Sequence, residues 1–299
     1  MKKVILAAAL MAVSASAQDV MWAPKGKPAQ YRPPHKAHTK LADVKAKHDG
    51  EKAWRELVVD DQHLRSEWIF SPAGSHTPRM LHPDTRVWWV VWEGEVKFAI
   101  EKAGSFVARH GSVVQVPMQT WFSYETVGDR PSLIFETNIA GAKALYEDQN
   151  ACSPPPGTEW MKVRLGNRPA GVYDKNNKPH VTFEEVAEAF ESGKVRGTQR
   201  IVEDARGAAN FIYGYNSKLP PLDPKAKGHY HPEGAEFWLI LKGQIRYPIE
   251  GVGTIIANEG DVVYVPQYTF HFPRWWGEGP SCRLAMNGFP YIAHLFEPD

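Results

Sequence analysis

Four side chains in the downstream half, His229, His231, Glu236 and His271, have the types and spacing to hold one metal ion. In His229-Tyr230-His231 the two imidazoles are two residues apart, so on a strand both point to the same side. Gly234 permits a tight bend. Glu236 opens the next apolar run, from which its carboxylate can return to the same interior. His271 follows Gly260 and Pro266 on a later strand and can close the set. Three neutral imidazoles and one carboxylate reduce the charge of a divalent ion, and an ion that prefers five or six ligands keeps open positions. The alternative is a polar core without metal. It would bury a carboxylate and three rings that all need partners, which is costly.

An internal repeat positions these residues. Residues 82–122 align without a gap with residues 231–271. His82-Pro83 matches His231-Pro232, Trp89 matches Trp238, and Gly94 matches Gly243. Gly104 matches Gly253 and Gly111 matches Gly260. Val116-Pro117 matches Val265-Pro266, and Thr120 matches Thr269. A repeat of this length points to two copies of one domain. Residues 87–92 and 237–241 are apolar runs rich in β-branched and aromatic residues. Glu93-Gly94 and Lys242-Gly243 mark turns, residues 96–100 and 245–249 return as strands, and residues 113–116 and 262–265 stop at a proline. Short strands at regular spacing predict a mainly β fold, a barrel or sandwich in each copy.

The pattern H-x-H-x4-E-x6-G, followed by G-x5-P-x4-H, resembles the two motifs of the cupin superfamily, and the doubled pattern resembles a bicupin. The resemblance spans roughly residues 60–140 and 205–295. It implies two small antiparallel β-barrels (double-stranded β-helices) joined by a helical linker. It also implies that His229, His231, Glu236 and His271 are metal ligands for one divalent ion: Mn, Cu, Zn, Fe or Ni. Three positions depart from the family pattern: Asp223 and Tyr268 stand where glycines are usual, and Trp275 stands where an asparagine is usual. In the first copy the four ligand positions are Met80, His82, Val87 and Phe122. One imidazole cannot hold an ion in an apolar pocket, so that barrel is expected to be metal-free. Its Trp88, Trp89, Trp92 and Trp121 either pack the core or contact a ligand. His76 and His110 lie off the register and are expected to face solvent.

The remaining segments divide as follows. Residues 1–17 read as a signal peptide: Lys2 and Lys3, an apolar run from 4 to 13, then Ala15-Ser16-Ala17 with cleavage after Ala17. A periplasmic or secreted protein is the expectation. Residues 18–55 form a basic, Pro-containing arm with a short helix near 40–47. The first barrel covers 56–141, a linker 142–204, and the second barrel 205–299. In the linker, Thr182 and Glu185 form a capping box ahead of a helix that Gly193 ends, with Val186, Ala189 and Phe190 on one face. The formal charge is +1, and losing Lys2 and Lys3 leaves −1, which gives no field for nucleic acid. No segment after the leader is long and apolar enough to span a membrane. Cys152 and Cys282 allow one disulfide or two free thiols.

Such a site can polarise a chelating oxygen, activate water, or bring dioxygen beside an electron-rich substrate. The leading expectation is an oxygen-dependent oxidase or dioxygenase of a small enol, phenol or carboxylate. Alternatives are an oxygen-independent lyase, isomerase or decarboxylase, and a non-enzymatic metal- or ligand-binding protein. Glu236 is a candidate proton acceptor as well as a ligand. Tyr264 and Arg246 are further candidate catalytic groups, although surface or packing roles are open to both. Trp238 and Trp275 are expected to line the substrate pocket, with Trp275 and Trp276, which closely follow His271, at its mouth. The expected partner is a small-molecule substrate. A homodimer is implied only by the family resemblance.

Overall fold

The computed structural model describes residues 25–154, 156–166 and 172–297. The leader and its Ala17 cleavage point lie outside the described residues. Two β-barrels follow one another, each made of two facing sheets. The upstream barrel has a sheet of six strands in the order His180–Val181, Val113–Val116, Val87–Glu93, Ser132–Ile139, Leu64–Ser71, Trp54–Asp60. Its second sheet runs Leu145–Tyr146, Met80–Leu81, Phe122–Val127, Glu95–Ile100, Gly104–Ala108. The downstream barrel repeats this plan. Its six-stranded sheet is ordered His38–Thr39, Val262–Val265, Glu236–Lys242, Pro280–Asn287, Gly207–Tyr215, Thr198–Asp204. All strand pairs are antiparallel.

The two six-stranded sheets pack back to back, which explains why their central strands read as unbroken apolar runs. Both faces are buried, so both alternation phases must be apolar. In Glu236–Lys242, Phe237, Leu239 and Leu241 enter the shared core, where they join Trp68, Trp88 and Phe135 of the other barrel. Trp238 and Ile240 turn the opposite way into their own barrel. Upstream, Trp88 and Trp92 belong to the shared core and Trp89 to the barrel interior, so all three pack rather than bind. The fit across the interface is close. A Cβ on Gly207 would lie 3.1 Å from the Trp88 ring.

The segments before each barrel are also duplicated, and they are exchanged. His38–Thr39 adds an edge strand to the downstream barrel at Val262 and Val263, and helix α1, Leu41–Lys47, follows it. His180–Val181 adds the matching strand to the upstream barrel at Val113 and Val114, followed by helix α2, Phe183–Glu191. Each helix seats its first residue on a repeat glycine. A Cβ on Gly260 would meet Leu41 at 2.5 Å, and one on Gly111 would meet Phe183 at 2.7 Å. Both glycines also have positive φ, so a side chain there is excluded twice over. The arm therefore covers the downstream barrel, and the linker is a second copy of the same strand–helix unit.

Some expectations are corrected here. The linker does not run to residue 204, because Thr198–Asp204 pairs with Gly207–Tyr215 inside the downstream sheet. In α2 the capping box forms as expected: Thr182 Oγ1 accepts from Glu185 N at 3.2 Å, and Glu185 accepts from Thr182 N at 3.0 Å. Its packed face is Phe183, Val186, Ala187 and Phe190, with Ala187 in place of Ala189. No disulfide forms between the two cysteines. Cys282 is fully buried in the shared core and Cys152 is half-buried, both free. No helix among the described residues is long and apolar enough to cross a membrane.

The exchanged arm is tied down by Asp261. Its carboxylate accepts from His38 Nε2 at 2.8 Å, Leu41 N at 3.2 Å and Asn258 N at 3.0 Å. Replacing His38 by Ala is expected to cost about 1–2 kcal/mol in chemical denaturation, because a buried carboxylate loses a donor. The exposed ion pair Lys47–Glu56 is expected to cost under about 1 kcal/mol when broken.

Candidate metal centre

The four predicted ligands converge at one end of the downstream barrel. One donor atom from each of His229, His231, Glu236 and His271 lies within 4.8 Å of all the others. His231, Glu236 and His271 are buried and His229 is partly exposed. The local backbone explains the convergence. His229 and His271 exchange two backbone hydrogen bonds, of 3.1 and 2.9 Å. That contact needs Gly228: a Cβ there would sit 2.0 Å from the His271 carbonyl oxygen. Tyr268, where the family pattern has glycine, adopts the left-handed backbone (φ 59°) that glycine would take. Its N–H donates to His231 O at 2.9 Å. The departure in residue type leaves the turn intact.

Carbonyl oxygens fix the rings. His231 Nδ1 lies 2.7 Å from Ala293 O, and His271 Nδ1 lies 2.9 Å from Thr269 O. A carbonyl only accepts, so both Nδ1 atoms carry the proton and both Nε2 lone pairs face inward. His231 Nε2 is 2.9 Å from Glu236 Oε2. His271 Nε2 is 3.4 Å from the same oxygen without hydrogen-bond alignment. His229 Nε2 is buried and has no hydrogen-bond partner. Buried, inward-facing lone pairs without donors are what a cation would satisfy, so the residues fit one divalent transition metal.

The electrostatics agree with a ligand role. Burial and the neighbouring His271 imidazole push His229 down to about 2, so its lone pair is free at any working pH. Burial opposes charging His231, but the bond to Glu236 outweighs it and its pKa is raised. Burial also opposes charging Glu236, yet the His231 and His271 contacts hold its carboxyl well below the usual range. A carboxylate kept ionised in this way suits a ligand.

The other candidates scatter. Trp238 forms the wall beside the site, with its ring centroid 5.3 Å from that of His271. Trp275 lies in the same interior but pairs with Ile245, four residues along the strand from Ile249, which bridges to His271. It therefore sits roughly 13 Å down the barrel rather than at the mouth. Trp276 is exposed. Tyr264 is not in the pocket. It alternates out of phase with Val263 and Val265, faces the shared core, stacks on His35 at 4.3 Å and reaches Asp61 at 3.3 Å. Arg246 also points away, because Ile245 and Tyr247 take the inward positions, and its guanidinium lies over Trp276.

One residue at the site escaped the sequence reading. The strand Leu295–Phe296 pairs with His229–Tyr230 and straps the mouth. It brings the His294 ring to 4.6 Å from His229 and 4.8 Å from His231. The strap has a precedent upstream, where His82 Nδ1 lies 2.7 Å from Lys143 O, just as His231 reaches Ala293 O. Following the repeat past residue 271 would have exposed it. In the upstream barrel, His82 Nε2 contacts Asn138 at 3.2 Å and Phe122 fills the place of His271. His76 and His110 are exposed, as expected.

Residues 217–286 match the family described as Cupin domain. No curated protein matches the chain. Among solved structures, it is similar to a salicylate 1,2-dioxygenase from Pseudaminobacter salicylatoxidans. The TM-score is 0.61 at 12% identity, over 91% of this chain and 89% of that one. It is also similar to an oxalate decarboxylase from Lactobacillus farciminis in its formate complex, with TM-score 0.52 at 11% identity over 87% and 88%. The oxalate decarboxylase from Bacillus subtilis at pH 4.6 gives TM-score 0.52 at 12% identity over 89% and 79%. At such identities the likeness is one of fold. Residues 217–286 thus carry a cupin domain, the chain as a whole shares the two-barrel fold of these structures, and the four-residue metal-binding group is complete only in the C-terminal barrel.

Protons compete with a metal for these imidazoles. Because the His231 pKa is raised in the metal-free protein, metal affinity is expected to fall on acidification starting above the ordinary histidine range. The slope should approach roughly tenfold per pH unit while one proton is displaced. Titration against a competing chelator between pH 8 and 6 measures this, and a flat profile would count against His231 as a ligand.

Proposed function

We propose that the chain is an exported, metal-dependent cupin oxidoreductase that reacts a small enol, phenol or carboxylate with dioxygen. The observation that carries the reading is the set of inward, otherwise unbonded lone pairs on His229 and His271 beside Glu236, walled by Trp238. A redox-active divalent ion held there would supply a point where an electron-rich chelating substrate and dioxygen meet. The similarity of fold to a protein described as a salicylate 1,2-dioxygenase supports the same direction. Export rests on the leader-like residues 1–17.

The chain's own residues have distinct parts in this account. His229, His231, Glu236 and His271 hold the ion, and Ala293 O and Thr269 O keep two of the rings in register. Trp238 and Tyr247, with ring centroids 5.1 Å apart, line the interior side. Entry is from the His229 face, the only one of the four ligands that is not buried. His294 stands at that mouth with Nδ1 held 3.1 Å from Ile292 O, which leaves Nε2 as a free base. Burial lowers its pKa, so it is neutral near pH 7 and placed to receive the proton of an entering hydroxyl.

Oxygen consumption by the metal-loaded protein, screened over small phenolic and enolic acids, tests the reading. Uptake coupled to loss of one substrate is the expected result. Unchanged turnover under strict anaerobiosis would reject it in favour of a lyase, isomerase or decarboxylase. His294→Ala is expected to lower the rate at least tenfold with metal content unchanged.

A further inference from the structure

The upstream barrel shows which interior groups the fold itself requires. Carrying the repeat register through both copies sets Phe98 against Tyr247 and Ile134 against Arg283. Phe98 and Ile134 are both fully buried in the apolar interior of the upstream barrel. The barrel thus closes with apolar side chains at both places. The phenol and the guanidinium downstream are additions that packing does not demand.

Neither addition is satisfied by the protein. Tyr247 is wholly buried, and its hydroxyl makes no hydrogen bond. Arg283 is 8% exposed, and its Nε has no partner. Its neighbours on the flanking strands are Ile212 and Ile240, which offer no counter-charge. Cys282 and Leu284 face the shared core, so alternation turns Arg283 into the metal-binding barrel beside Ala285. Trp275 Nε1, on the strand next to Tyr247, is likewise buried and unbonded. Trp68 and Trp88 leave Nε1 unbonded in the shared core too, so the indole alone would carry nothing. Arg86, Arg200 and Arg246 also leave one buried nitrogen unbonded, so the weight rests on the pairing: Arg283 Nε and the Tyr247 hydroxyl are both buried without a partner at places the upstream barrel fills with apolar side chains. Burial pushes the Tyr247 phenol up, with Arg283 and Glu236 both within electrostatic reach, so it stays a protonated donor between the metal end and the guanidinium.

We propose that Tyr247 and Arg283 form an anion-recognition pair that anchors a carboxylate of the substrate inside the metal-binding barrel. This rests on reading the barrel as a substrate site. It narrows the substrate class to an acid whose anionic group is held by the protein and whose reacting end lies toward the four ligands. A guanidinium can only donate and a protonated phenol can donate beside it, and together they favour an acceptor that carries negative charge.

Benzoate, with benzamide as its neutral analogue, is the probe, and calorimetric titration of the metal-loaded protein is the readout. Benzoate is expected to bind at least about tenfold more tightly than benzamide. Tyr247→Phe, which installs the upstream barrel's own residue, and Arg283→Met are each expected to weaken benzoate by about tenfold or more. Metal content should not change, and Tm should hold or rise, since each variant removes an unpaired buried donor. Arg283→Lys keeps the charge and should retain part of the affinity. Unchanged benzoate affinity in both variants, no benzoate binding by the parent protein, or a fall in Tm in both variants overturns the proposal. The oxygen reading fails separately: absence of oxygen uptake leaves these binding differences in place, and loss of the differences leaves oxygen uptake untouched.

Discussion

A carboxylate and three imidazoles gathered at one end of an apolar barrel, all but His229 buried, are the constraint on which the downstream half depends. Left alone, such a set is a liability, because each lone pair has lost water and gained little. The protein goes some way toward managing it. Two rings are locked by carbonyl oxygens, and Glu236 is kept ionised by His231 and His271. What remains, the inward lone pairs of His229 and His271, is a demand for positive charge. A divalent cation fills it with the right sign and the right ligand atoms.

Duplication gives this constraint its own control. The upstream barrel has the same strand order, the same repeat glycines and the same strap bonded to its surviving histidine. Met80, Val87 and Phe122 stand at three of its four ligand positions, and rings and aliphatic groups fill its interior. Scaffold and site are therefore separable. The shared core between back-to-back sheets and the exchanged strand–helix units hold the pair of barrels together. That arrangement lets the downstream barrel keep polar groups inside it that a lone domain of its size would tolerate poorly.

Much of this was legible in the residues. Glycines and prolines in register over residues 82–122 and 231–271 fix turns, and turns fix where strands start, so the β architecture and the convergence of His229, His231, Glu236 and His271 follow. Alternation from Glu236 puts Trp238 in the barrel interior, beside the His271 ring. Tyr264 and Arg246 were judged by chemical type, whereas the phase of their strands sends them out of the pocket. In Val262–Val265, buried on both sides, apolar composition hides that phase, and a partner such as Asp61 for Tyr264 reveals it; in Gln244–Ile249 the alternation is plain and already sends Arg246 outward. The exchange of His38–Thr39 and His180–Val181 between barrels was not legible, because two-residue edge strands carry no period.

Anomalous diffraction from crystals of the purified chain, with metal content measured on the same sample, tests the central claim most directly. The account predicts one ion per chain, at about 2.0–2.3 Å from a nitrogen of His229, His231 and His271 and from an oxygen of Glu236. It predicts none beside His82. An ion bound elsewhere, two ions per chain, or a donor of the four turned away from the metal would contradict it.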